Sequence, residues 1–537
     1  MTSVETKPPP NEASPLSPFR HPTFTVLWLA TVVSNIGTWM QNAAAGWLMV
    51  GLDPDPFIVS LVQVSTSLPM FLFALAGGAL ADIVDRRRLL IAIQMAVAAL
   101  VGGFGLMVWL GRVTPDLLLG FSFLGGTAAA LIAPVWMTIV PQLVPRQLLQ
   151  PAVALNGVAI NVSRAVGPAL AGLIIVAWGL AAPFWLNALS TLGVVAALIW
   201  WKPSAEAAAR RLPAERFGRA IRAGLRHARH NPHLRATLIR ASGFFVFASA
   251  YWALLPLVAR DQVGGDPKLY GLLLGAIGAG AVAGAFTLPY AQRRFGADIP
   301  AFAGTVGTAL AMVLYGLARQ PAVALAASVV AGISWIAVLS ALNVSAQVAL
   351  PGWVRGRGLA IFSTVMFGGL AFGSALWGQV AAATSLPVAH FAAAAGALIA
   401  IPLLWRWKLQ TGAGVDFTPS MHWPQPVLSH DIEADRGPVL VTVEYQINPA
   451  DHAAFVDAIS QLAPERRRNG AFEWGLYEDT ALAGRFVETF LLDSWMDHLR
   501  QHERVTQADK ARQEAVNGFQ VEGAPKVTHL VAAGRGA

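Results

Sequence analysis

The sequence predicts an all-α polytopic membrane protein, with twelve transmembrane helices in two six-helix halves, followed by a C-terminal α+β soluble domain. Apolar blocks of about twenty residues, the length that spans a bilayer core, recur from Phe24 to Trp407. Only 13% of the residues are charged and 55% are hydrophobic. The charged share is about half that of a soluble domain. A long basic stretch divides the blocks six and six.

Each apolar block predicts one span. The predicted spans are 24–50, 58–81, 89–111, 115–142, 150–177, 179–201, 238–260, 269–291, 298–317, 321–349, 357–384 and 387–406. Most Lys and Arg residues between spans fall in alternate loops, which is typical of the cytoplasmic side. Both termini are therefore predicted to be cytoplasmic, and the lipid bilayer accounts for the net charge of +8 without a nucleic-acid partner.

Composition also predicts the domain boundaries. Residues 1–22 are polar and rich in Pro and Ser, which predicts a disordered cytoplasmic tail. The six-span halves are 23–201 and 237–408, joined by a basic cytoplasmic loop at 202–236; a linker at 409–436 leads to the soluble domain at 437–535. Arginines from Arg210 to Arg229 recur at helical spacing, which fits either a helix on an anionic membrane surface or a solvated linker helix. With no cysteine, disulfides and thiol chemistry are excluded.

The loop after span two carries a recognisable motif. The run from Gly78 to Arg88, GALADIVDRRR, resembles the loop motif of the major facilitator superfamily, with Ile83 and Asp85 at two departures from the usual residues. The Asp at 85 resembles the branch of drug and siderophore exporters similar to the enterobactin exporter, the transmembrane secretion effectors. This resemblance implies the major facilitator fold and a cytoplasmic gate, for which the candidate residues are Gly78, Asp82, Asp85, Arg86 and Arg87. For the arginines, the alternative is that they only hold the loop on the cytoplasmic side.

Three further stretches resemble the same branch. They are Asn161 to Gly172, the loop from Pro351 to Arg357, and the C-terminal run from Ser494 to Arg504. The loops after spans four and ten also echo each other, and we predict a cytoplasmic loop motif at Arg146, Arg355 and Arg357. Duplicated six-span halves place a substrate cavity at the midplane and imply alternating access by rocking.

Span five carries small residues around a Gly-Pro pair, at Gly167, Pro168 and Gly172. Small residues let helices approach closely, and proline permits a kink. The resemblance implies the packing motif of an antiporter, but ordinary helix packing explains the same residues.

Arg164 lies inside the same apolar span, where a charge costs about 2.5 kcal/mol or more unless it faces a cavity or a partner. We predict that it faces the cavity and suits an anionic substrate such as a catecholate or carboxylate; snorkelling to an interface is the alternative. The polar and aromatic residues predicted to line this transport cavity are Asn35, Gln41, Trp136, Asn156, Asn161, Arg164 and Gln347. Further candidates are the polar residues Asn42, Gln63 and Asn343 and the aromatic residues Trp39, Trp252 and Trp335. Such side chains are otherwise helix-helix contacts, but as a set they favour an amphipathic organic substrate.

The spans contain no clear mid-membrane Asp or Glu, although a buried carboxylate is the usual proton carrier. Proton coupling is therefore implied by the resemblance alone, with Asp82 as the nearest carboxylate.

The C-terminal pattern changes to alternating apolar and polar residues. Apolar residues alternate with polar ones from Val441 to Ile447, which predicts a half-buried strand. Further strands near 471–478, 485–492 and 526–532, with helices after Asn448 and Ser494, predict a β-α-β-β-α-β, ferredoxin-like domain. It resembles antibiotic-biosynthesis monooxygenase domains, which are small and dimeric. His498 and His502 have the spacing of two metal ligands, but a zinc site needs a third. We therefore predict that they are surface histidines of a structural helix, with metal binding or catalysis as the alternative, and assign no metal and no catalytic residue.

These observations predict a transporter rather than an enzyme. The predicted function is export of a small amphipathic siderophore or drug-like molecule, as in multidrug efflux, across the bacterial inner membrane, with proton coupling. No cofactor is expected, and the partners are the small-molecule substrate, the bilayer and a second copy through the C-terminal domain. The alternative is a membrane-anchored monooxygenase-like enzyme or ligand sensor that uses the C-terminal domain.

Overall fold

The computed structural model describes residues 14–202, 217–351, 353–411, 418, 420, 423, 432–433 and 435–533. Twelve of the helices in this part of the chain are long and apolar enough to cross a membrane. The first six are α1 Pro22–Leu52, α2 Pro56–Ile83, α3 Arg86–Trp109, α4 Pro115–Leu143, α5 Leu149–Trp178 and α6 Ala182–Trp200. After α7 (Phe217–His230) come α8 Pro232–Leu257, α9 Pro267–Phe295, α10 Asp298–Leu317, α11 Pro321–Val348, α12 Arg355–Ala383 and α13 Leu386–Leu404. The predicted fold class is confirmed.

Polar caps and prolines set where several spans begin. The side chains of Thr114, Asp266 and Ser385 accept hydrogen bonds from backbone N–H groups in the first turns of α4, α9 and α13. A proline follows within two residues of each cap, where its missing N–H costs nothing. Asn231 acts similarly before α8, since its Oδ1 accepts hydrogen bonds from the N–H groups of His233 and Leu234. That cap explains why α8 begins six residues before the predicted span.

The described residues form two compact units. The first contains the described residues of 14–202 together with 241–341 and 363–406. Its N-terminal half has an apolar core in which Leu27, Leu90, Val135 and Leu198 are almost fully buried. The chain is ordered before residue 23, because Ser17–Arg20 forms a 3₁₀ turn and the Phe19 ring packs on Trp28, 5.0 Å between centroids. Residues 1–13 of the predicted tail lie outside the described residues.

The second unit contains 217–240, 342–362 and the described residues from 407 onward. Its strands are β1 Val439–Gln446, β2 Glu473–Glu478, β3 Arg485–Leu492 and β4 Lys526–Val531. They form one antiparallel sheet in the order β2-β3-β1-β4, with Val441 of β1 opposite Phe490 of β3 and His529 of β4. Helices α14 His452–Ser460 and α15 Leu462–Arg468 follow β1, and α16 Trp495–Arg504 and α17 Gln507–Asn517 follow β3. This order and topology are those of the predicted ferredoxin-like fold.

Alternation along the strands builds the core of this domain. Every second residue of β1 and β3 is buried, as expected for a sheet with one covered face. Tyr445, Phe455, Phe490 and Trp495 belong to this core. Within the same unit, α7 packs against α15. The residues from Gly224 to Arg229 of the predicted basic helix therefore include a protein-facing side, with His227 and Ala228 buried; residues 203–216 lie outside the described part of the chain.

Candidate transport site

Arg164 lies in the middle of α5 and has no acidic partner among the described residues. Its guanidinium carbon lies 5.2 Å from the ring centroid of Trp39 on α1. Its Nε atom is buried and has no hydrogen-bond partner. On α8, Tyr251 is near enough to interact with it electrostatically. A cation over an aromatic face is stabilised by about 0.5–2 kcal/mol, which does not replace a counter-ion.

An aromatic cluster continues the site on the other half of the protein. The rings of Tyr251 and Trp252 lie 5.5 Å apart, and Trp335 of α11 meets Trp252 edge-on at 5.4 Å. The Tyr251 hydroxyl and the indole N–H groups of Trp252 and Trp335 have no partner at hydrogen-bonding distance and angle. Each such buried group costs about 1–3 kcal/mol. A ligand that supplied acceptors would satisfy them.

The sequence singled out Trp39, Trp252 and Trp335 but missed Tyr251. Its hydroxyl, directly before Trp252 in an apolar span, is the signal that could have found it. The arrangement combines a cation, aromatic faces and polar groups without hydrogen-bond partners.

The predicted polar cavity residues do not all gather at this point. Gln41 of α1 accepts a hydrogen bond from Nδ2 of Asn187 on α6, 2.6 Å away and buried, so it links two helices. Asn161 donates within its own helix to the carbonyl of Gly157, at 2.9 Å. Trp136 packs against the apolar core of the N-terminal half. Asn35 and Asn156 are half-buried on α1 and α5, and Gln347 is exposed on α11. Their cavity roles stay predictions.

The Gly-Pro region of α5 packs closely on α9. A Cβ added to Gly172 would lie 2.6 Å from the carbonyl oxygen of Pro267, and one added to Gly271 would lie 2.5 Å from that of Pro168. A Cβ at Gly167 would lie 2.6 Å from the Cβ of Trp39. Real Cβ atoms do not approach so closely, so glycine lets α5 contact both α1 and α9. This is the helix packing expected of small residues in membranes.

Contacts between the two halves cluster at one end of the first unit. Trp47 of α1 stacks on Tyr270 of α9, 5.9 Å between centroids, and the Arg260 guanidinium donates to the carbonyl of Val50. At the other end of the same helices, Phe286 of α9 is 82% exposed, and Gly157 of α5 has no atom within 4 Å of a Cβ added to it. The halves therefore meet where α5 ends and α9 begins.

The gate motif is described only in part. Asp85 caps α3, since its Oδ1 accepts a hydrogen bond from the N–H of Arg88 at 2.8 Å. Arg87 donates to the carbonyls of Leu198 and Ile199, at 2.7 and 2.6 Å, and so holds the C-terminal end of α6. Gly78 and Asp82 lie in the last turns of α2 and Arg86 begins α3, but the surroundings of Gly78 and Asp82 lie outside the described part of the structure. The neighbouring Gly77 makes a close helix contact, because its added Cβ would lie 2.6 Å from the carbonyl of Ala130 on α4.

Two of the recognised motifs meet in the second unit. The guanidinium of Arg504, in the C-terminal run, lies 4.3 Å from the ring centroid of Trp353, in the loop before α12. His227 of α7 meets the same indole edge-on at 5.5 Å. In the loop motif, Arg355 and Arg357 open α12, and Arg146 opens the 3₁₀ turn Arg146–Leu148. The sequence did not predict that the loop and the C-terminal run contact each other.

A buried ionic network fills the space between α15, β3 and α17. Arg466 donates to Glu488 through Nε at 2.9 Å and to Gln513 through Nη2 at 2.6 Å. Arg468 donates to Asp509 at 2.5 Å. Burial raises the pKa of Glu465 to about 7, the Asp509 charge adds to this, and Arg512 opposes it. Each charge has a partner, so we interpret the network as part of the core.

The second unit also contains three histidines that could hold a metal. His498 and His502 lie one turn apart on α16, and His529 of β4 joins them, with the ligand atoms within 4.8 Å of one another. The sequence analysis missed this third candidate ligand, because it is the pairing of β4 with β1 in the sheet that brings His529 close to α16.

Fold and site together define an integral-membrane secondary transporter rather than an enzyme. The chain belongs to the transmembrane secretion effector family, a branch of the major facilitator superfamily, because that family's model matches residues 13–536. It is 26% identical over 390 residues to the enterobactin exporter EntS of Shigella boydii serotype 4 (strain Sb227), covering 72% of this chain and 91% of that one. The Citrobacter koseri protein of the same name is 25% identical with the same coverage.

Solved structures confirm the fold. A variant of the nucleoside transporter NupG superposes with a TM-score of 0.58 at 13% identity, covering 72% of this chain and 99% of that chain. A bacterial homologue of the iron transporter ferroportin, in an inward-facing state, gives 0.56 at 16% identity, covering 72% and 98%. The predicted family resemblance is confirmed for the transporter part, and the monooxygenase-like resemblance of the C-terminal domain stays a prediction.

Proposed function

We propose that this transporter exports a small amphipathic organic anion, siderophore-like or drug-like, across the bacterial inner membrane. The observation that carries the proposal is Arg164, a cation held over Trp39 without an acidic partner among the described residues. Beside it, Tyr251, Trp252 and Trp335 offer aromatic faces and unsatisfied donors. The relatives named as enterobactin exporters support export and a catecholate-like substrate.

The transport cycle is proposed to be alternating access. Under the predicted sidedness, with both termini cytoplasmic, the end where Trp47 stacks on Tyr270 is the outer end. The halves are closed there in this structure, which corresponds to an inward-facing state that accepts substrate from the cytoplasm. Rocking would separate α5 from α9 at Gly172 and Gly271.

Proton-coupled antiport is the proposed energy source. The spans hold no mid-membrane carboxylate, so coupling would use Asp82 at the end of α2 or the substrate's own ionisation. Homodimerisation through the C-terminal domain is also proposed. Exposed Phe472, beside the edge strand β2, and Tyr477 within it support this, at 41% and 62% exposure.

The test is uptake of catecholates, drugs and dyes into inverted vesicles, with and without a proton gradient. The native protein should concentrate an anionic catecholate only with the gradient. Arg164→Ala should reduce uptake at least about tenfold, the equivalent of about 1.4 kcal/mol of binding, and Arg164→Lys should retain part of it. Arg112→Ala is the matched control, since Arg112 is exposed in a loop.

Two results would count against the proposal. Undiminished catecholate uptake by Arg164→Ala would remove Arg164 from recognition. Failure of every compound to accumulate, with the native protein folded and inserted, would favour the anchored sensor.

A further inference from the structure

Two of the three clustered histidines of the C-terminal domain have the separation of metal ligands. The Nε2 atoms of His498 and His502 lie 3.3 Å apart. Zinc-imidazole bonds of about 2.0–2.1 Å at the tetrahedral angle put two ligand nitrogens about 3.3–3.4 Å apart. In the absence of an ion the same two atoms are within hydrogen-bonding distance of each other. Their separation also equals that of two ligand nitrogens on one ion.

His529 completes the set from a different element. It lies on the edge strand β4, opposite Val441 of β1. Its ring centroid lies 4.6 Å from that of His498, which in turn lies 4.8 Å from that of His502. All three ligand atoms lie within 4.8 Å of one another. Binding one ion would require the imidazole rings to turn towards it until the nitrogens lie about 3.4 Å apart. Two residues of one helix and one residue of a strand would surround a single small ion.

The three imidazoles differ in burial. His498 is 2% exposed, whereas His502 and His529 are half-buried. The cluster therefore lies at the edge of the domain core, where two of its members still reach solvent.

Hydrogen-bonding groups beside the cluster are left unsatisfied. His498 Nδ1 is buried without a partner, and so are both amide atoms of the fully buried Gln501 on the same helix. A histidine that binds a metal through one ring nitrogen normally donates the N–H of its other ring nitrogen to an acceptor, and the Gln501 amide oxygen is a group of that kind. Trp495 and Trp423 flank the cluster, with centroids 5.1 Å from His498 and 5.3 Å from His502.

We propose that His498, His502 and His529 bind one divalent first-row transition-metal ion, Zn²⁺ in the first instance, in the C-terminal domain. Three imidazoles suit Zn²⁺, Cu²⁺, Ni²⁺ and Fe²⁺ and not Mg²⁺ or Ca²⁺. Three protein ligands leave one coordination position for water or an exogenous ligand. The metal proposal uses none of the residues that support the transport proposal, so neither proposal depends on the other.

The experiment uses the full-length protein, purified in detergent on a tag without histidine and stripped with chelator. Isothermal titration should give one Zn²⁺ bound per chain. Co²⁺ should give the visible absorption of a low-symmetry site, lost when Zn²⁺ is added. His502→Gln and His529→Ala should each weaken binding at least about tenfold.

His452→Ala is the matched control, because His452 belongs to the same domain but is 51% exposed and paired with Glu478. It should bind Zn²⁺ like the native chain. If His529→Ala fails to fold, His502→Gln still tests the proposal, because a half-buried position tolerates this substitution. A native chain that binds no Zn²⁺, or a folded His502→Gln chain that binds with native affinity, would overturn the proposal.

Discussion

The guanidinium of Arg504 lies over the indole of Trp353, 4.3 Å from its ring centroid. Arg504 ends α16 of the ferredoxin-like domain, whereas Trp353 belongs to the loop between spans ten and eleven, 151 residues earlier. This contact ties the C-terminal domain to that loop within the second unit. The domain therefore has a specific docking contact on the loop motif.

Replacing either partner should loosen this docking. A cation–π contact of this kind contributes about 0.5–2 kcal/mol, so Arg504→Ala and Trp353→Ala should each lower the free energy of unfolding of the domain. A double-mutant cycle should show coupling of at least about 0.5 kcal/mol. Arg467→Ala, an arginine on α15, is the control. Strict additivity of the two substitutions would refute the contact.

Covalent closure of the outer end should stop transport reversibly. A Cβ added to Gly275 would lie 3.2 Å from the Cβ of Ala169, close to the separation of about 3.5–4.5 Å in disulfides. The chain has no cysteine, so Ala169→Cys with Gly275→Cys gives a single pair without background. Oxidation should abolish vesicle uptake and a reductant should restore it. Each single variant is the control, and full uptake by the cross-linked protein would argue against separation of α5 and α9 during transport.

Neutralising Glu488 should destabilise the C-terminal domain strongly. Glu488 is fully buried and accepts hydrogen bonds from Arg466 and from the Trp474 indole, both at 2.9 Å. Glu488→Gln leaves the Arg466 charge buried without its counter-ion, which costs about 3–5 kcal/mol. Denaturant unfolding of the domain measures the loss. Glu478→Gln, at an exposed strand position, should be nearly neutral, and an equal effect of both would contradict the network's role.

Glu465 should make the domain less stable as the pH rises. Burial raises its pKa from 4.5 to about 7 in the folded protein. Between these values the folded state binds more protons than the unfolded state, so stability from this group is present below about pH 4.5 and lost by about pH 7. Through this group, the free energy of unfolding changes by at most about 1.4 kcal/mol per pH unit.

The measurement is the difference between native and Glu465→Gln chains across this pH range. The buried histidines act in the opposite sense, because burial lowers the pKa of His498, and only the difference isolates Glu465. The variant should gain stability relative to the native chain as the pH rises. A difference that does not change with pH would show that Glu465 titrates normally.

The fold was predictable because spans and strands have local signatures. Apolar length located the twelve spans, and alternation located β3 at its observed residues 485–492. Of the candidate site, Arg164 was predictable because a charge inside an apolar span needs an explanation. The missed features depend on distant residues: α17 was merged into one helix after Ser494, and His529 reaches α16 only through the register of β4. The docking of Arg504 on Trp353 likewise has no local signal.

The most direct test of the central claim compares two ligands that differ only in charge. An anionic catechol carboxylate and its neutral methyl ester are titrated against the purified native, Arg164→Ala and Arg112→Ala proteins, with tryptophan fluorescence as the signal. The native and Arg112→Ala proteins should prefer the anion by at least about tenfold, and Arg164→Ala should bind both ligands equally. An unchanged preference for the anion in Arg164→Ala would contradict the assignment of Arg164 as the residue that recognises the substrate's charge.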